Sequence, residues 1–82
     1  MILTERGVKH GDLHATSRAY NLLIAAFDEA SDGKEMGALQ YPLDMILAKL
    51  ARIASGDERY DDHWRDIEGY GALAMRLLGK ES

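Results

Sequence analysis

The chain has 82 residues, of which 46% are hydrophobic and 29% charged, and its formal net charge is −4. This length and composition predict one globular domain over residues 1–82 and exclude a disordered chain. The negative charge argues against nonspecific binding of duplex nucleic acid. The absence of cysteine excludes disulfides and thiolate metal sites, and no apolar run approaches the roughly 20 residues that cross a bilayer, so no membrane partner is expected.

Apolar residues recur at helical spacing in three segments, so the sequence predicts an all-α bundle. The first helix is expected over about residues 13–30, with Asp12 as its N-cap and the turn 32–34 as its end. Residues 1–11 are expected to form a short turn or half-helix. The predicted apolar face of the first helix consists of Ala15, Ala19, Leu22, Leu23, Ala26, Phe27 and Ala30.

Two further helices follow a loop that is expected over residues 31–41. Pro42 suits the first turn of the second helix, which should run to Ser55 and end at Gly56 in a left-handed conformation. The third helix is expected from residue 61 or 62 to residue 78, ending at Gly79. Because the link between these helices is short, they should be antiparallel neighbours. The predicted apolar stripe of the third helix consists of Trp64, Ile67, Gly71, Ala74 and Leu78.

Three helices of this length leave much apolar surface uncovered. Either a short N-terminal piece closes the bundle, or a second copy of the chain does. Since small cores are usually completed by association, we expect a homo-oligomer, a dimer or higher.

An acidic pair stands at the start of the third helix. Asp62 and Asp66 lie one helical turn apart on the same side, where two like charges are unfavourable without a cation between them. One interpretation is a site for a divalent cation such as Mg²⁺, which prefers carboxylate and phosphate oxygens. The alternative is that Asp62 complements the helix dipole and Asp66 pairs with Arg59, Lys49 or Arg52.

Several side chains are of the types that bind nucleotides: cationic side chains bind phosphates, and aromatic side chains stack on bases. Lys49 and Arg52 share a helix face and could hold a phosphate, or they could simply be solvated side chains that cover a helix. Arg6 and His10 stand beside glycines in a second basic group. The aromatic side chains that could stack on a base are Trp64 and Tyr70, although aromatic residues on helices more often belong to a core or an interface.

Three segments together resemble a known group of proteins: Arg6-Gly7 with His10-Gly11-Asp12, then residues 43–52, then residues 62–70. They resemble small phage and prophage proteins that are similar to the MazG-like, all-α nucleoside triphosphate pyrophosphohydrolases. The resemblance implies a helical bundle that is completed by dimerisation or tetramerisation. It also implies the cytoplasm of a bacterial host as the location.

In that family, acidic residues on two neighbouring helices hold magnesium, and pyrophosphate is released from a nucleotide. By position, the resemblance implies Asp44, Asp62 and Asp66 as the metal ligands. This sequence departs from the family on the second helix, because it carries Asp44, Lys49 and Arg52 where the enzymes carry several glutamates. Lysine can hold phosphate, but it cannot activate water as a metal ion does.

Two functions follow from this resemblance and from the way the second helix departs from the family. The first is a nucleotide-phosphate-binding protein that sequesters a nucleotide or a cyclic nucleotide signal of host defence without turnover. Its expected binding residues are Arg6, His10, Lys49, Arg52, Trp64 and Tyr70. The alternative is a magnesium-dependent nucleoside triphosphate pyrophosphohydrolase, whose catalytic residues the sequence does not identify.

Overall fold

The computed structural model describes residues 12–80, and within them the chain is all-helical, without any strand. The all-α prediction is therefore confirmed for these residues, while the expectation for residues 1–11 lies outside them. None of the helices in residues 12–80 is long and apolar enough to cross a membrane. The elements are α1 (Leu13–Ser31), a 3-10 turn (Gly37–Leu39), α2 (Gln40–Ser55) and α3 (Asp61–Leu77).

Helix α1 begins and ends close to the predicted residues. Asp12 occupies the N-cap position with an extended backbone, although its side chain makes no capping hydrogen bond. At the other end Asp32 adopts a left-handed conformation with φ 55°, and the Gly33 amide donates to the Asp28 carbonyl at 3.2 Å. The Asp32 amide donates to the Glu29 carbonyl at 3.1 Å, which completes a Schellman motif.

Helix α2 starts directly after the 3-10 turn. It begins at Gln40, so Pro42 lies in its first turn as predicted, where a missing amide proton costs no helical hydrogen bond. The predicted left-handed cap at Gly56 is wrong, because Gly56 has φ −139° and ψ −136°. With this conformation, which is not left-handed, Gly56 leads from α2 into the link before α3.

Helix α3 has charges that suit both of its ends. Asp61 and Asp62 lie in its first turn and Arg76 in its last, which complements the helix dipole. Gly79 has φ +72°, its amide donates to the Arg76 carbonyl at 2.9 Å, and the Lys80 amide donates to the Met75 carbonyl at 2.8 Å. This second Schellman motif confirms Gly79 as the residue that ends the helix.

The three helices lie side by side with α2 in the middle. Helices α1 and α3 each pack on α2 and make no packing contact of comparable extent with each other. Contacts between α2 and α3 run in opposite directions along the two helices, from Lys49 with Asp66 to Tyr41 with Tyr70, so the predicted antiparallel pairing is confirmed. The principal extents are 44 × 31 × 16 Å, and the shortest is only a little more than the about 10–12 Å diameter of one helix.

A pair of hydroxyl groups joins α1 to the end of α2. Thr16 Oγ1 and Ser55 Oγ are 2.6 Å apart, and Ser55 Oγ donates to the Ala51 carbonyl at 2.8 Å. Since the single Ser55 proton is used in that bond, the Thr16 hydroxyl is the donor between the two side chains.

The core of the described residues is small and is centred on α2. The buried residues are Pro42, Leu47, Ala51 and, on α3, His63. The prediction that Trp64 belongs to the packed stripe of α3 is wrong. Trp64 is 50% exposed, whereas the preceding residue, His63, is 2% exposed. The stripe that faces α2 starts one residue earlier, at His63, and continues through Ile67, Tyr70 and Ala74 at helical spacing.

Candidate functional site

An ion pair joins α2 to α3 on one side of the layer. Lys49 Nζ lies 2.8 Å from Asp66 Oδ2, and the side chains are 22% and 48% exposed. The hydrogen bond from Lys49 lowers the pKa of Asp66. Burial opposes this shift, and the charges of Lys49 and His63 add smaller contributions that lower the pKa. The pairing of Asp66 with Lys49 that the sequence offered as an alternative is therefore present.

Asp62 lies one turn before Asp66 on the same side of α3. Its carboxylate, as hydrogen-bond acceptor for the Tyr60 hydroxyl, raises the pKa of that tyrosine, and partial burial and the nearby aspartates add to the effect. The Tyr60 ring in turn meets the buried His63 ring edge-on, with centroids 5.0 Å apart. The link before α3 thus holds a tyrosine between a buried imidazole and an exposed carboxylate.

Two tyrosines lie on the same side of the α2–α3 junction, beyond Asp66 and away from Asp62. Tyr70 follows Asp66 by one turn, and its ring meets Tyr41 of α2 edge-on with centroids 6.0 Å apart. Partial burial raises the pKa of Tyr70, with smaller contributions from Tyr41 and from the charge of Asp66. Tyr41 is 57% exposed, so the pair presents an aromatic edge to solvent.

Arg52 lies one turn beyond Lys49 on α2 and shares a helix face with it. It is half-buried, and among residues 12–80 no carboxylate is within ion-pair distance of its guanidinium. We use the term polar seam for the set of side chains along this side of the α2–α3 junction: Tyr41, Lys49, Arg52, Asp62, Asp66 and Tyr70.

The third predicted metal ligand, Asp44, lies elsewhere. Its carboxylate accepts a hydrogen bond from Gln40 Nε2 at 2.8 Å. It is five residues from Lys49, which is about 140° around a helix and therefore on a different side of α2. Among residues 12–80 no three histidine, aspartate or glutamate side chains are grouped as a metal ion would require. The magnesium site thus stays a prediction, of which the structure places Asp62 and Asp66 on one side.

Trp64 is also separate from the polar seam. It precedes Asp66 by two residues, which places it about 160° away around α3. Its indole Nε1 donates to the Glu58 carbonyl at 2.8 Å, which fixes the ring against the link while half of its surface stays exposed. Of the predicted binding residues, Lys49, Arg52 and Tyr70 belong to the polar seam and Trp64 does not. Arg6 and His10 lie outside the described residues.

Sequence reasoning missed Tyr41, Tyr60 and His63. A signal for His63 was present, since it stands four residues before Ile67 and seven before Tyr70, at the spacing of a buried face. No comparable signal exists for Tyr41, because its contact with Tyr70 depends on how α2 and α3 align.

Comparison with known proteins gives a family match. A family model described as a domain of unknown function, DUF6378, matches residues 1–78. No curated protein and no solved structure matches the chain. The match includes all three helices and every residue of the polar seam. The chain therefore belongs to the DUF6378 family.

Proposed function

We propose that the protein binds a phosphate-bearing nucleotide at the polar seam and sequesters it without turnover. The observation that carries this proposal is the pairing of Lys49 with Asp66 at 2.8 Å beside the half-buried Arg52. The two cations share one helix face and balance the charges of Asp62 and Asp66, so the polar seam is formally neutral on a chain whose net charge is −4.

The two cations suit phosphate in different ways. Arginine presents a planar fork that can donate two parallel hydrogen bonds to phosphate oxygens, whereas lysine supplies a mobile point charge. Asp66 holds the Lys49 ammonium at the α2–α3 junction, so that less side-chain freedom is lost when a ligand binds. The Tyr41–Tyr70 pair lies further along the same side and offers ring edges and hydroxyls to a base or sugar.

The resemblance to MazG-like pyrophosphohydrolases supports a nucleotide as the ligand. The departure from them supports binding without catalysis, because Lys49 and Arg52 stand on the helix where the enzymes carry a glutamate cluster. By the same resemblance, the protein acts as an oligomer in the cytoplasm of a bacterial host. For a protein that sequesters its ligand without turnover, the ligand class that we propose is a cyclic nucleotide signal of host defence.

Magnesium-dependent hydrolysis of a nucleoside triphosphate is the second candidate. It is favoured by the position of Asp62 and Asp66, which are both exposed and one turn apart on the polar seam. Carboxylates so placed can share a magnesium ion with substrate phosphates. Such an ion would have to compete with Lys49 for the carboxylate of Asp66.

A nucleotide panel with and without magnesium separates the two functions. Linear and cyclic nucleotides are incubated with the protein in magnesium or EDTA, binding is followed by calorimetry, and products are separated by chromatography. We expect a ligand that is bound equally well in EDTA and recovered unchanged. Magnesium-dependent release of pyrophosphate would establish the enzyme instead.

A charge-matched pair of variants locates the site. Lys49→Met should weaken binding at least about tenfold, since a desolvated charge-assisted contact contributes roughly 1.5–3 kcal/mol. Lys34→Met removes the same charge from the exposed turn after α1 and should leave affinity unchanged. Equal affinities for both variants, or no binding of any nucleotide by the unmodified protein, would overturn the proposal.

A further inference from the structure

The polar seam has three successive levels, each with one residue from α2 and one from α3. From one end to the other, the levels are Tyr41 with Tyr70, Lys49 with Asp66, and Arg52 with Asp62. The third level follows from helix spacing, since its members lie three residues beyond Lys49 and four residues before Asp66 in antiparallel helices. The seam therefore runs from an aromatic end to a charged end, and the charged end lies beside the link between α2 and α3.

The cations of the seam are sufficient for one phosphate group. Lys49 and Arg52 are three residues apart on one face of α2, so both can reach the same phosphate. Arginine can donate two parallel hydrogen bonds to its oxygens, and lysine adds a point charge. Tyr70 follows Asp66 by one turn, about 6 Å along α3, which suits the distance between the phosphate and the base of one nucleotide. A nucleotide with one phosphate therefore fills the seam.

A second or third phosphate has no favourable position in the seam. A phosphate chain that continues away from the tyrosines passes Arg52 and reaches residues 57–62, which form the link and the first turn of α3. This segment contains four carboxylates and one arginine, so its formal charge is −3. The arginine, Arg59, is 89% exposed and lies 3.9 Å from Glu58. A phosphate chain that turns outward instead enters solvent and gains no contact with the protein.

The two carboxylates of the seam lie nearer to solvent than its two cations. Asp66 is 48% exposed against 22% for Lys49, and Asp62 is exposed whereas Arg52 is half-buried. We refer to Asp62 and Asp66 as the carboxylate rim. A phosphate passes this rim before it reaches the cations, and the repulsion that it meets there grows with its charge.

Two tyrosines show the effect of the charge of the rim. After the hydrogen bond to Asp62 and partial burial, the charges of the nearby aspartates also raise the pKa of Tyr60. Burial is the largest cause of the raised pKa of Tyr70, and the charge of Asp66 makes a smaller contribution. The negative potential that disfavours a phenolate at both places also disfavours each additional phosphate charge.

We propose that the polar seam binds a nucleotide through a single phosphate group and discriminates against nucleoside diphosphates and triphosphates. This selectivity rests on the proposed function and adds to it the number of phosphates. Without a metal ion, affinity decreases as phosphates are added to one nucleoside. A site in which cations outnumber carboxylates gives the opposite order, because each added phosphate is attracted to it.

A series of nucleotides that share one base tests this selectivity by calorimetry in EDTA. The series consists of the 5′-monophosphate, the diphosphate, the triphosphate and the 3′,5′-cyclic monophosphate, and it is repeated for each common base. We expect a single-phosphate ligand to bind most tightly, and each further phosphate to lower the affinity by about threefold. Comparison of the two single-phosphate ligands distinguishes a linear from a cyclic nucleotide as the source of the phosphate.

Two charge-neutralising changes in α3 provide matched variants. Asp62→Asn removes a charge of the rim but keeps an oxygen that can accept the Tyr60 hydrogen bond. Glu68→Gln removes an exposed charge two residues after Asp66, about 160° away around the helix. We expect Asp62→Asn to reduce the preference for the tightest single-phosphate ligand over the triphosphate by about threefold. Glu68→Gln should leave this preference unchanged.

The outcomes separate this selectivity from nucleotide binding itself. A triphosphate that binds at least as tightly as the single-phosphate ligands, and whose binding is weakened in Lys49→Met, would overturn the selectivity but not the proposed function. Equal effects of Asp62→Asn and Glu68→Gln on the preference would also overturn the selectivity. No binding of any nucleotide in the series would overturn the proposed function and the selectivity with it.

Discussion

Lys49 of α2 and Asp66 of α3 form the ion pair that joins the middle helix to its partner across the polar seam, with Nζ and Oδ2 2.8 Å apart. Lys49 is the more buried of the two, at 22% exposure against 48% for Asp66. The pair therefore has an asymmetric role, since the loss of the aspartate leaves a largely covered ammonium group without its carboxylate.

Asp66→Asn should lower the free energy of unfolding by about 0.5–1.5 kcal/mol, because the remaining amide oxygen is a weaker acceptor for the Lys49 ammonium. Lys49→Met should cost less, since the methionine keeps the apolar stem and Asp66 returns to solvent. Urea denaturation of both single variants and the double variant measures the coupling. Additive effects of the two changes would show that the pair does not stabilise the fold.

The same pair should make stability depend on pH in the acid range. Because the pKa of Asp66 is lowered in the folded protein, its contribution is fully present above the unfolded value of about 3.9. It is lost as the pH falls through the lower folded pKa. The difference in unfolding free energy between the unmodified protein and Asp66→Asn should be constant near neutral pH and shrink below about pH 4. A difference that instead grows on acidification would contradict the assignment.

His63→Ala should be among the most destabilising single changes in α3. The imidazole is 2% exposed and packs on the Tyr60 ring, so its removal leaves a cavity at the α2–α3 junction. We expect a loss of about 2–4 kcal/mol. His14→Ala, at an exposed position of α1, is the matched control and should change stability by less than about 0.5 kcal/mol. Similar values for both variants would show that burial of His63 is unimportant.

Two glycine-to-alanine changes, one within α3 and one just after its end, should have opposite effects on stability. Gly79→Ala should cost about 1 kcal/mol, because Gly79 has φ +72° and an alanine there is strained. Gly69→Ala should instead stabilise by roughly 0.5–1 kcal/mol, since it lies within α3 and its new Cβ meets nothing within 4 Å. Thermal unfolding followed by circular dichroism gives both shifts. A change of the same sign at the two positions would be inconsistent with the helix end at Gly79.

The positions of the helices could be predicted because the residues at their ends have local conformational or capping preferences. Asp12, Pro42 and Gly79 each mark a helix end by a backbone or capping preference that acts within a few residues. Gly56 was misjudged because glycine permits a left-handed cap but does not require one. Its actual conformation depends on the direction that the link takes to α3.

The side of α3 that faces α2 could not be read from the sequence. The stripe from His63 and the stripe from Trp64 share Ile67 and Ala74, so each is a plausible packed face, and the more apolar one was preferred. The packing of α2 selects the other. Lys49 and Asp66 were correctly offered as partners. The resemblance grouped Asp44 with Asp62 and Asp66, although its five-residue spacing from Lys49 already places it about 140° away around α2.

The position of α2 between α1 and α3 also bears on how the protein folds. Each helix packs on the one that precedes or follows it in the chain, so spatial order repeats chain order. Every closing loop is then a short one, and little chain entropy is lost before each new contact forms. Helical domains with such local topology fold within microseconds to milliseconds. Each hairpin of helices can therefore form early, without waiting for the rest of the chain.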